Sequence, residues 1–272
     1  RNNKDDKYIG ISLLDDKNDP NIPAWKKTDI FLKTHKNVYI ERGKDNTGNI
    51  LSLENFADCK EKYGSSMDLI TGDGGFDFSI DFNKQEVNIA NLLFSQMCYA
   101  LTLQKKGGTF VLKIFDCFMQ HTSDILCILT SFYNKVFITK PHTSRYANSE
   151  KYIICKEFLL PSCERFFPFI IRAFTKMQSN ITNKTNTTYV HRFLNCPIPL
   201  CFVSKLEEYN AILGQQQLEN IHATLLLIDN QYNQEKIDSL VNTNIQKSML
   251  LCTKLGIQHN NFTTNPVNIF LS

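Results

Sequence analysis

The sequence predicts an α/β fold followed by a helical C-terminal extension. Residues 1–160 alternate short apolar runs with amphipathic segments, as expected of strands that alternate with helices. After residue 160 these strand patterns give way to two long segments of helical periodicity. The chain shows no fixed-period repeat. We therefore predict an α/β domain over residues 1–160 and a mainly helical extension over residues 161–272.

Six short apolar or β-branched runs are predicted as strands. They are residues 7–14, 37–42, 67–73, 108–115, 135–141 and 149–158. Apolar residues at helical spacing predict a crossover helix over 84–105, ended by Gly107 and Gly108. Ser123 is predicted to cap the next helix. The last two strands are joined by a segment too short for a helical crossover, so we expect them to pair antiparallel.

The extension begins with a stretch that is interrupted by prolines. Its prolines are Pro161, Pro168, Pro197 and Pro199. Between them, an Asn/Thr-rich run over 179–188 predicts an exposed loop. Helices are predicted over 204–228 and 233–255, with Gly256 ending the second.

Composition excludes several classes of protein. The nine cysteines form no CxxC pair, so reduced and mostly buried thiols are expected, and no metal site is predicted. A formal net charge of +3 is too small for the whole chain to bind polyanions, so a nucleic-acid site has to be a local patch. No apolar run approaches the roughly 18 to 20 residues that span a bilayer, and the first residues are too polar for a signal peptide. We expect an intracellular protein without a membrane partner.

The stretch DLITGDGG, residues 68–75, ends a predicted strand on a carboxylate. In a parallel α/β sheet, ligands bind beyond the carboxyl ends of the strands, and the two glycines after Asp73 let a ligand approach the backbone closely. The alternative is an aspartate that makes a local turn hydrogen bond.

A lysine inside the fourth predicted strand strengthens the case for a site. If that strand is buried on both faces, Lys113 needs a carboxylate nearby because desolvating a cation is costly. Asp73 can supply one, since both residues lie towards the carboxyl ends of neighbouring strands, and Glu150, at the start of the sixth strand, can supply a second. The alternatives are an edge strand with Lys113 in water and a solvated Glu150.

Three motifs resemble those of the FtsJ-like (RrmJ-like) ribose 2′-O-methyltransferases, and within them the mRNA cap-1 branch. The motifs are DGGF at 73–76, GGTFVLKIFD at 107–116 and KPHTSRYANSEKYIICK at 140–156. The resemblance implies a Rossmann-like methyltransferase sheet in which Asp73, Lys113 and Glu150 belong to a Lys-Asp-Lys-Glu catalytic tetrad. The helical tail is similar, more weakly, to related enzymes of large cytoplasmic DNA viruses. A cytoplasmic location, including a viral factory or virion, or a nuclear one is therefore expected.

The resemblance also implies a cofactor and a reaction. A methyl group would pass from S-adenosyl-L-methionine to a ribose 2′-hydroxyl, with Lys113 stabilising the developing alkoxide or acting as a base. Asp73 would hold Lys113 and also face the positively charged cofactor. The stretch RGKDNTGNI, residues 42–50, matches a cofactor-side loop and supplies Asp45 and Asn49 as cofactor-binding candidates, although an Asp is usual where Asn49 stands.

The loop before Glu150 is expected to border the RNA. Its candidate substrate-binding residues are Lys140, Ser144, Arg145 and Asn148. Lysine and arginine suit phosphate, while the hydroxyl and the amide can bond ribose. The alternative is a solvated basic loop. The expected partners are capped mRNA or another RNA, and a subunit of the capping machinery bound to the helical extension.

The N-terminal part departs from the family pattern. The glycine-rich cofactor loop and the first catalytic lysine would precede residues 7–14, and neither is found in this chain. The first strand of the fold would lie between strands 7–14 and 67–73, so we expect that the sequence belongs to a longer protein or that the strand is supplied from elsewhere. Two other functions stay open. One is a non-catalytic, degenerate methyltransferase fold that serves as an RNA-binding or scaffolding subunit, and the other is ribose methylation of rRNA or tRNA.

Overall fold

The computed structural model describes residues 5–14, 22, 25, 28–75, 84–142, 144–182 and 190–257. The strands are β1 (Tyr8–Ile11), β2 (Val38–Glu41), β3 (Met67–Gly72), β4 (Gln104–Ile114), β5 (Tyr133–Thr139) and β6 (Lys151–Phe158). The helices are α1 (Asp29–Thr34), α2 (Leu53–Tyr63), α3 (Gln85–Leu103), α4 (Gln120–Phe132), α5 (Phe167–Thr182), α6 (Leu200–Asp229) and α7 (Gln234–Leu255). All six predicted strands are confirmed with shifted ends. The crossover helix is confirmed as α3, but it ends at Leu103, and Gly107 and Gly108, predicted to end it, lie in β4.

The described strands form two sheets. β1 and β2 pair in parallel, and the other four are ordered β3-β4-β6-β5. β3 and β4 are parallel because α3 crosses between them, whereas β6 runs antiparallel to both β4 and β5. The predicted antiparallel pairing of the last two strands is confirmed.

No strand in the described part of the chain joins the two sheets. We expected one sheet lacking a strand between residues 7–14 and 67–73, and β1 and β3 indeed belong to separate sheets. Side chains rather than ladder hydrogen bonds connect the two parts, since Ile11 packs against the common hydrophobic core. That a further strand belongs between them stays a prediction.

α3 forms the centre of the core. Nearly all of its residues after the first turn are buried, and it contacts α2, α4, α5, β3 and β4. A helix that is apolar on all sides is stable only when other elements surround it. With 19 residues it is about 28 Å long.

The start of α4 differs from the prediction. The helix begins at Gln120, and the Ser123 hydroxyl donates back to the Met119 carbonyl, so Ser123 is not its cap. The buried Glu86 carboxylate accepts instead from the backbone N–H groups of Phe118 and Met119, at 3.1 and 2.8 Å. A side chain from α3 thus satisfies donors next to the start of α4.

α5 was not predicted. Pro168 was interpreted as a break, but it is the second residue of the helix, where its missing N–H has no intrahelical partner to lose. Of the predicted loop over 179–188, residues 179–182 lie in α5 and the remainder lies outside the described residues.

The chain divides into two compact units, Arg1–Gln217 and Leu218–Ser272. Phe174, Met177 and Leu206 belong to the core of the first unit, so that unit extends well past residue 160. The two helices predicted in the extension are confirmed as α6 and α7, and Gly256 ends α7 in the left-handed conformation, with φ 64°.

Two further expectations concern the chain as a whole. All nine cysteines are free thiols and five of them are buried. Within the described ranges, no helix has the length and apolar character that crossing a bilayer requires.

Candidate active site

Lys113 and Asp73 form an ion pair at the carboxyl ends of β3 and β4. The parallel register places Gly72 opposite Leu112, so the next residues, Asp73 and Lys113, lie side by side. The Lys113 Nζ lies 2.6 Å from the Asp73 Oδ1. The lysine side chain is 16% exposed and the carboxylate 74%. A largely buried ammonium group is therefore held by a carboxylate that still faces solvent, at an edge that we call the Lys113 rim.

Glu150 reaches this pair through a tyrosine. Tyr152 lies directly opposite Lys113 in the β4–β6 ladder, and its hydroxyl donates to the Glu150 Oε1 at 2.9 Å. Burial, then the hydrogen bond and charge of Glu150 and the charge of Asp73, raise the pKa of Tyr152 to about 12. The tyrosine hydroxyl therefore stays protonated near neutral pH. In the described residues the ion pair of Lys113 is with Asp73, while Glu150 is bonded to Tyr152, so the predicted enclosure of Lys113 by two carboxylates is not seen.

The turn after β3 is fixed by Gln96 of α3. The buried Gln96 side chain accepts from the Gly74 N–H at 2.8 Å and donates to the Leu92 carbonyl at 3.2 Å. A Cβ on Gly72 or Gly74 would lie 2.9 or 3.1 Å from the Gln96 Oε1. A side chain at either glycine would therefore push against the Gln96 side chain that fixes the turn.

The loop over residues 140–150, here called the rim loop, is organised by Lys140. Its ammonium group donates to the carbonyl groups of Asn148 and Glu150, both at 2.7 Å, and to the Asn148 Oδ1 at 3.0 Å. Burial and the nearby charge of Lys151 lower the pKa of Lys140. The side chains of Lys140 and Asn148 are thus engaged with the loop itself, which they hold in position. That they also contact RNA stays a prediction.

The other two predicted substrate residues remain available. Arg145 is exposed, and no ion pair of its guanidinium group occurs within the described ranges. The Ser144 hydroxyl is buried and has no hydrogen-bond partner among those residues. The exposed cation can bind a phosphate directly, whereas a ribose can reach the unsatisfied hydroxyl only if the loop shifts to uncover it.

A second buried lysine, Lys151, connects the end of β4 to the rim loop. Lys151 donates to the carbonyl groups of Phe115 and Ser149, at 3.2 and 3.1 Å, and lies 3.4 Å from the Asp116 carboxylate. These bonds hold the end of β4 and the rim loop together.

Three residues of the site were not predicted from the sequence: Lys151, Tyr152 and Gln96. The available signals were the two-residue spacing of Glu150 and Tyr152, which puts both on one strand face, and a polar Gln96 on the apolar face of α3.

The predicted cofactor-side loop follows β2. The Asp45 Oδ1 accepts from the Thr47 N–H, the Thr47 hydroxyl and the Asn55 amide, at 2.9, 2.7 and 2.8 Å. Burial acts to raise the pKa of Asp45, but these hydrogen bonds outweigh it and lower the pKa. The Asn49 Oδ1 accepts from the Leu51 N–H. One side-chain oxygen of each candidate therefore holds the loop in shape.

The cofactor-side loop and the glycine turn rest on the same helix. The Ser95 hydroxyl of α3 donates to the carbonyl of Ile50, and Gln96, the next residue, binds Gly74. Adjacent positions of α3 thus set both loops. Within the described ranges, no group of three or more His, Cys, Asp or Glu is placed to hold a metal ion.

Comparison with known proteins gives the chain a family. The model of the FtsJ-like methyltransferase family matches residues 2–158. The chain is 30% identical over 199 residues to a protein of Trypanosoma brucei brucei named cap-specific mRNA (nucleoside-2'-O-)-methyltransferase 1, which covers 72% of this chain and 53% of that protein. It is 29% identical over 234 residues to cap-specific mRNA (nucleoside-2'-O-)-methyltransferase 2 of Pongo abelii, covering 84% of this chain and 29% of that protein.

A third relative shows higher identity over a shorter stretch. The protein of Dictyostelium discoideum named cap-specific mRNA (nucleoside-2'-O-)-methyltransferase 1 is 38% identical over 128 residues, which cover 45% of this chain and 17% of that protein. The chain spans about half the length of the trypanosome relative and less than a third of the other two. The family model covers more than half of the chain, and the chain therefore belongs to the FtsJ-like methyltransferase family.

Proposed function

We propose that this chain carries the catalytic unit of an S-adenosylmethionine-dependent mRNA cap ribose 2′-O-methyltransferase. The observation that carries the proposal is the 2.6 Å pair of Lys113 and Asp73 at the carboxyl ends of two parallel strands. The ammonium group is largely buried, which has a desolvation cost, and the carboxylate that offsets this cost still faces solvent, where a ligand can approach it.

Lys113 is the residue proposed to act on the ribose. Methyl transfer is an in-line displacement, so the 2′-oxygen has to be aligned with the methyl donor while its proton is lost. Lys113 would donate a hydrogen bond to this oxygen as negative charge develops on it, or accept its proton when neutral. Asp73 fixes the position of the ammonium group. Tyr152 and Glu150 would border the same oxygen from β6.

The methyl donor would be held on the exposed side of Asp73. S-adenosylmethionine supplies a methyl group on a positively charged sulfur, and a solvent-facing carboxylate close to the uncrowded backbone of Gly75 is suited to that charge. Asp45 and Asn49 are proposed for the adenosyl side. Because one oxygen of each is used within the loop, they would bind through their remaining polar atoms.

Arg145 and Ser144 are proposed to hold the RNA. The exposed guanidinium group would bind a phosphate next to the target ribose, and the unsatisfied hydroxyl would bond a sugar oxygen. Lys140 and Asn148 would act indirectly, by fixing the rim loop that presents Arg145 and leads to Glu150.

The names of the relatives favour capped mRNA as the substrate over rRNA or tRNA. We further propose that a partner of the capping machinery binds the helical extension, and that the protein works inside the cell, in the cytoplasm, a viral factory or virion, or the nucleus. These proposals follow from the substrate, because cap formation is a process of several enzymes.

The substrate is tested with two transcripts of identical sequence, one with a cap-0 end and one with a 5′-triphosphate. The full-length protein is incubated with labelled S-adenosylmethionine, and the modified nucleotide is located by nuclease digestion and mass spectrometry. We expect methylation of the ribose next to the cap in the capped transcript alone. Equal methylation of both transcripts, or methylation of rRNA or tRNA in their place, would contradict cap specificity, and failure to bind S-adenosylmethionine would indicate a non-catalytic module.

A further inference from the structure

One segment of the chain carries basic residues without acidic ones. Between Arg165 and Leu206 the sequence contains six Lys or Arg and no Asp or Glu, although the whole chain has a net charge of only +3. A block of uncompensated positive charge inside a nearly neutral chain is the local patch that polyanion binding requires.

Three of these six residues do not contribute to a free patch on the described surface. Arg192 binds the buried Asp124 at 3.1 Å, and Lys205 binds Glu208 at 2.7 Å. Lys184 lies outside the described residues. The remaining cations are Arg165, Arg172 and Lys176. All three are exposed, and within the described ranges none has an ion pair.

The three free cations share one face of α5 with an exposed aromatic ring. Arg165, Phe169, Arg172 and Lys176 follow at spacings of four, three and four residues, which is one stripe of a helix. Backbone hydrogen bonds from Phe167 to Cys163 and from Ile170 to Phe166 extend the helical turn back to Arg165. The opposite face of α5 is in the core. Phe169 is 63% exposed. We call these four residues the α5 stripe.

The composition of the α5 stripe fits single-stranded nucleic acid. Bases stack on exposed aromatic rings, and the flanking lysines and arginines bind the phosphates. A helix face that serves only solubility normally mixes charges of both signs and exposes few large apolar side chains. The α5 stripe instead combines three cations with an exposed phenylalanine and contains no acidic residue.

α5 is oriented towards the Lys113 rim. Just before the helix, the Cys163 thiol contacts the carbonyl of Leu101, near the end of α3, and Phe174 packs on Phe94 in the middle of α3. α5 therefore runs antiparallel to α3. The first residue of α3, Gln85, accepts a hydrogen bond from the rim loop. The nine residues from Phe94 to Gln85 correspond to about 14 Å of helix, a distance that a few nucleotides can span.

We infer that the α5 stripe is an RNA contact outside the Lys113 rim, which binds the single strand on the 3′ side of the target nucleotide. Phe169 stacks on a base, and Arg165, Arg172 and Lys176 bind phosphates. The inference rests on the proposed function in taking RNA as the substrate, but it concerns binding and requires no methyl transfer.

RNA binding by the full-length protein tests the inference. The probe is a capped single strand of about 20 nucleotides, and fluorescence anisotropy gives Kd from about 50 to 200 mM salt. We expect R172A/K176A to raise Kd by about tenfold or more at low salt and to reduce the slope of log Kd against log salt by about two. F169A should raise Kd by roughly tenfold without changing the slope. The matched control K247A/K254A removes two exposed lysines of α7 and should change neither quantity.

An unchanged Kd and salt slope in R172A/K176A would overturn the inference. Loss of binding to vesicles of anionic lipid in that variant, with RNA binding intact, would overturn it as well. If either substituted chain unfolds at lower temperature than wild type, R172Q/K176Q repeats the measurement with longer side chains. Stripe-dependent RNA binding without methyl transfer by the wild type would remove the proposed function and keep the inference. Methyl transfer by the wild type, with RNA binding unaffected by these substitutions, would keep the proposed function and remove the inference.

Discussion

Two lysine–aspartate pairs join β3 and β4, and they differ in how far the lysine is buried. Lys113 and Asp73 lie at one end of the strands, 2.6 Å apart, with the lysine largely buried. Lys105 and Asp68 lie at the other end, 3.3 Å apart and both exposed. An exposed pair contributes little to stability, whereas a largely buried cation has a desolvation cost that its partner has to offset.

Replacing Lys113 by methionine should therefore separate activity from stability. K113M keeps the length and apolar stem of the side chain, so we expect loss of methyl transfer with a melting temperature equal to or above that of wild type. D73A should lower the free energy of unfolding by about 1 to 2 kcal/mol, because it leaves the ammonium group unpaired. Thermal unfolding gives the melting temperature of K113M and urea unfolding gives the free energy of unfolding of D73A, with K105M as the matched control. A strongly destabilised K113M would mean that the lysine is structural.

Tyr152 has a role that a conservative substitution can isolate. Y152F removes the hydrogen bond to Glu150, and a bond to a charged group contributes about 1.5 to 3 kcal/mol, so kcat should fall by about ten- to a hundredfold if Glu150 has to be held in place. Because the pKa of Tyr152 is raised to about 12, ionisation of this residue should not shape the pH profile of activity near neutrality.

Y133F provides the control, since Tyr133 donates to Gln104 at the opposite end of the sheet, at 3.2 Å. We expect it to change stability and not kcat. A Y152F enzyme with wild-type kcat would show that Glu150 needs no such support.

At the scale of single residues, the sequence predicted the charged groups and missed the groups that hold them. Lys113 and Asp73 could be predicted because a charge inside or at the end of an apolar run is conspicuous. Gln96 and Tyr152 are ordinary in their local sequence, and their roles depend on contacts with residues 22 positions away or on a facing strand. Lys140 was predicted to bind RNA from its charge alone. The sequence does not show the three oxygens of the rim loop to which its ammonium group donates.

At the scale of elements, α4 is held to the segment after α5 by one buried carboxylate. Asp124 has no exposed side-chain surface, and Arg192 and the N–H groups of Phe193 and Leu194 donate to it. Burial acts to raise the pKa of Asp124, but these hydrogen bonds outweigh it and lower the pKa below the ordinary value of 3.8. The carboxylate is therefore stabilising while it is ionised.

The pH dependence of stability follows from that direction. Because the folded pKa of Asp124 is lowered, its contribution is fully present above the unfolded value of 3.8 and is lost as pH falls below it through the folded pKa. D124N should cost about 3 kcal/mol at pH 7 and flatten the loss of stability on acidification. Urea unfolding between about pH 3 and 7 measures this. An unchanged acid slope in D124N would contradict the assignment. D229N, which changes an aspartate at the end of α6, serves as the control.

Element prediction failed where a local signal had two meanings. Pro168 is compatible with a break and with the first turn of a helix, and only the burial of Phe174 and Met177 on α2 and α3 shows that a helix follows. Ser123 has the chemistry of a cap, but Glu86, which is 37 residues earlier in the chain, satisfies the donors before α4. The strands and α3 were predicted well because their apolar periodicity is long and uninterrupted.

At the scale of the whole molecule, the family similarity and the compact unit do not end together. The family model matches residues 2–158, whereas the first compact unit runs to Gln217. Phe174, Met177 and Leu206 fill the core of that unit, so the fold depends on residues that the family pattern does not cover. The sequence could not give this boundary, because it depends on which face of α5 is buried.

Truncation of the full-length protein tests where the folded unit ends. A stop after Gln217 removes the end of α6 and all of α7. The buried residue of α6, Leu206, is kept and α7 has none, so the unfolding transition of the first unit should keep its midpoint. A stop after Leu160 removes four buried core side chains, Cys163, Phe174, Met177 and Leu206, and should cost more than about 5 kcal/mol, enough to abolish cooperative unfolding. Urea titration distinguishes the two. A cooperative transition in the shorter chain would show that residues 1–160 fold without α5.

The central claim is that the ammonium group of Lys113, held by Asp73, acts on the 2′-oxygen of a capped RNA. The most direct measurement is the single-turnover rate of methyl transfer to cap-0 RNA by full-length K113A and by the matched K105A, with RNA and S-adenosylmethionine binding measured on the same samples. We expect K113A to bind both ligands normally and to transfer methyl at least about a hundredfold more slowly, and K105A to transfer it at the wild-type rate. A K113A protein that methylates at the wild-type rate would contradict the account.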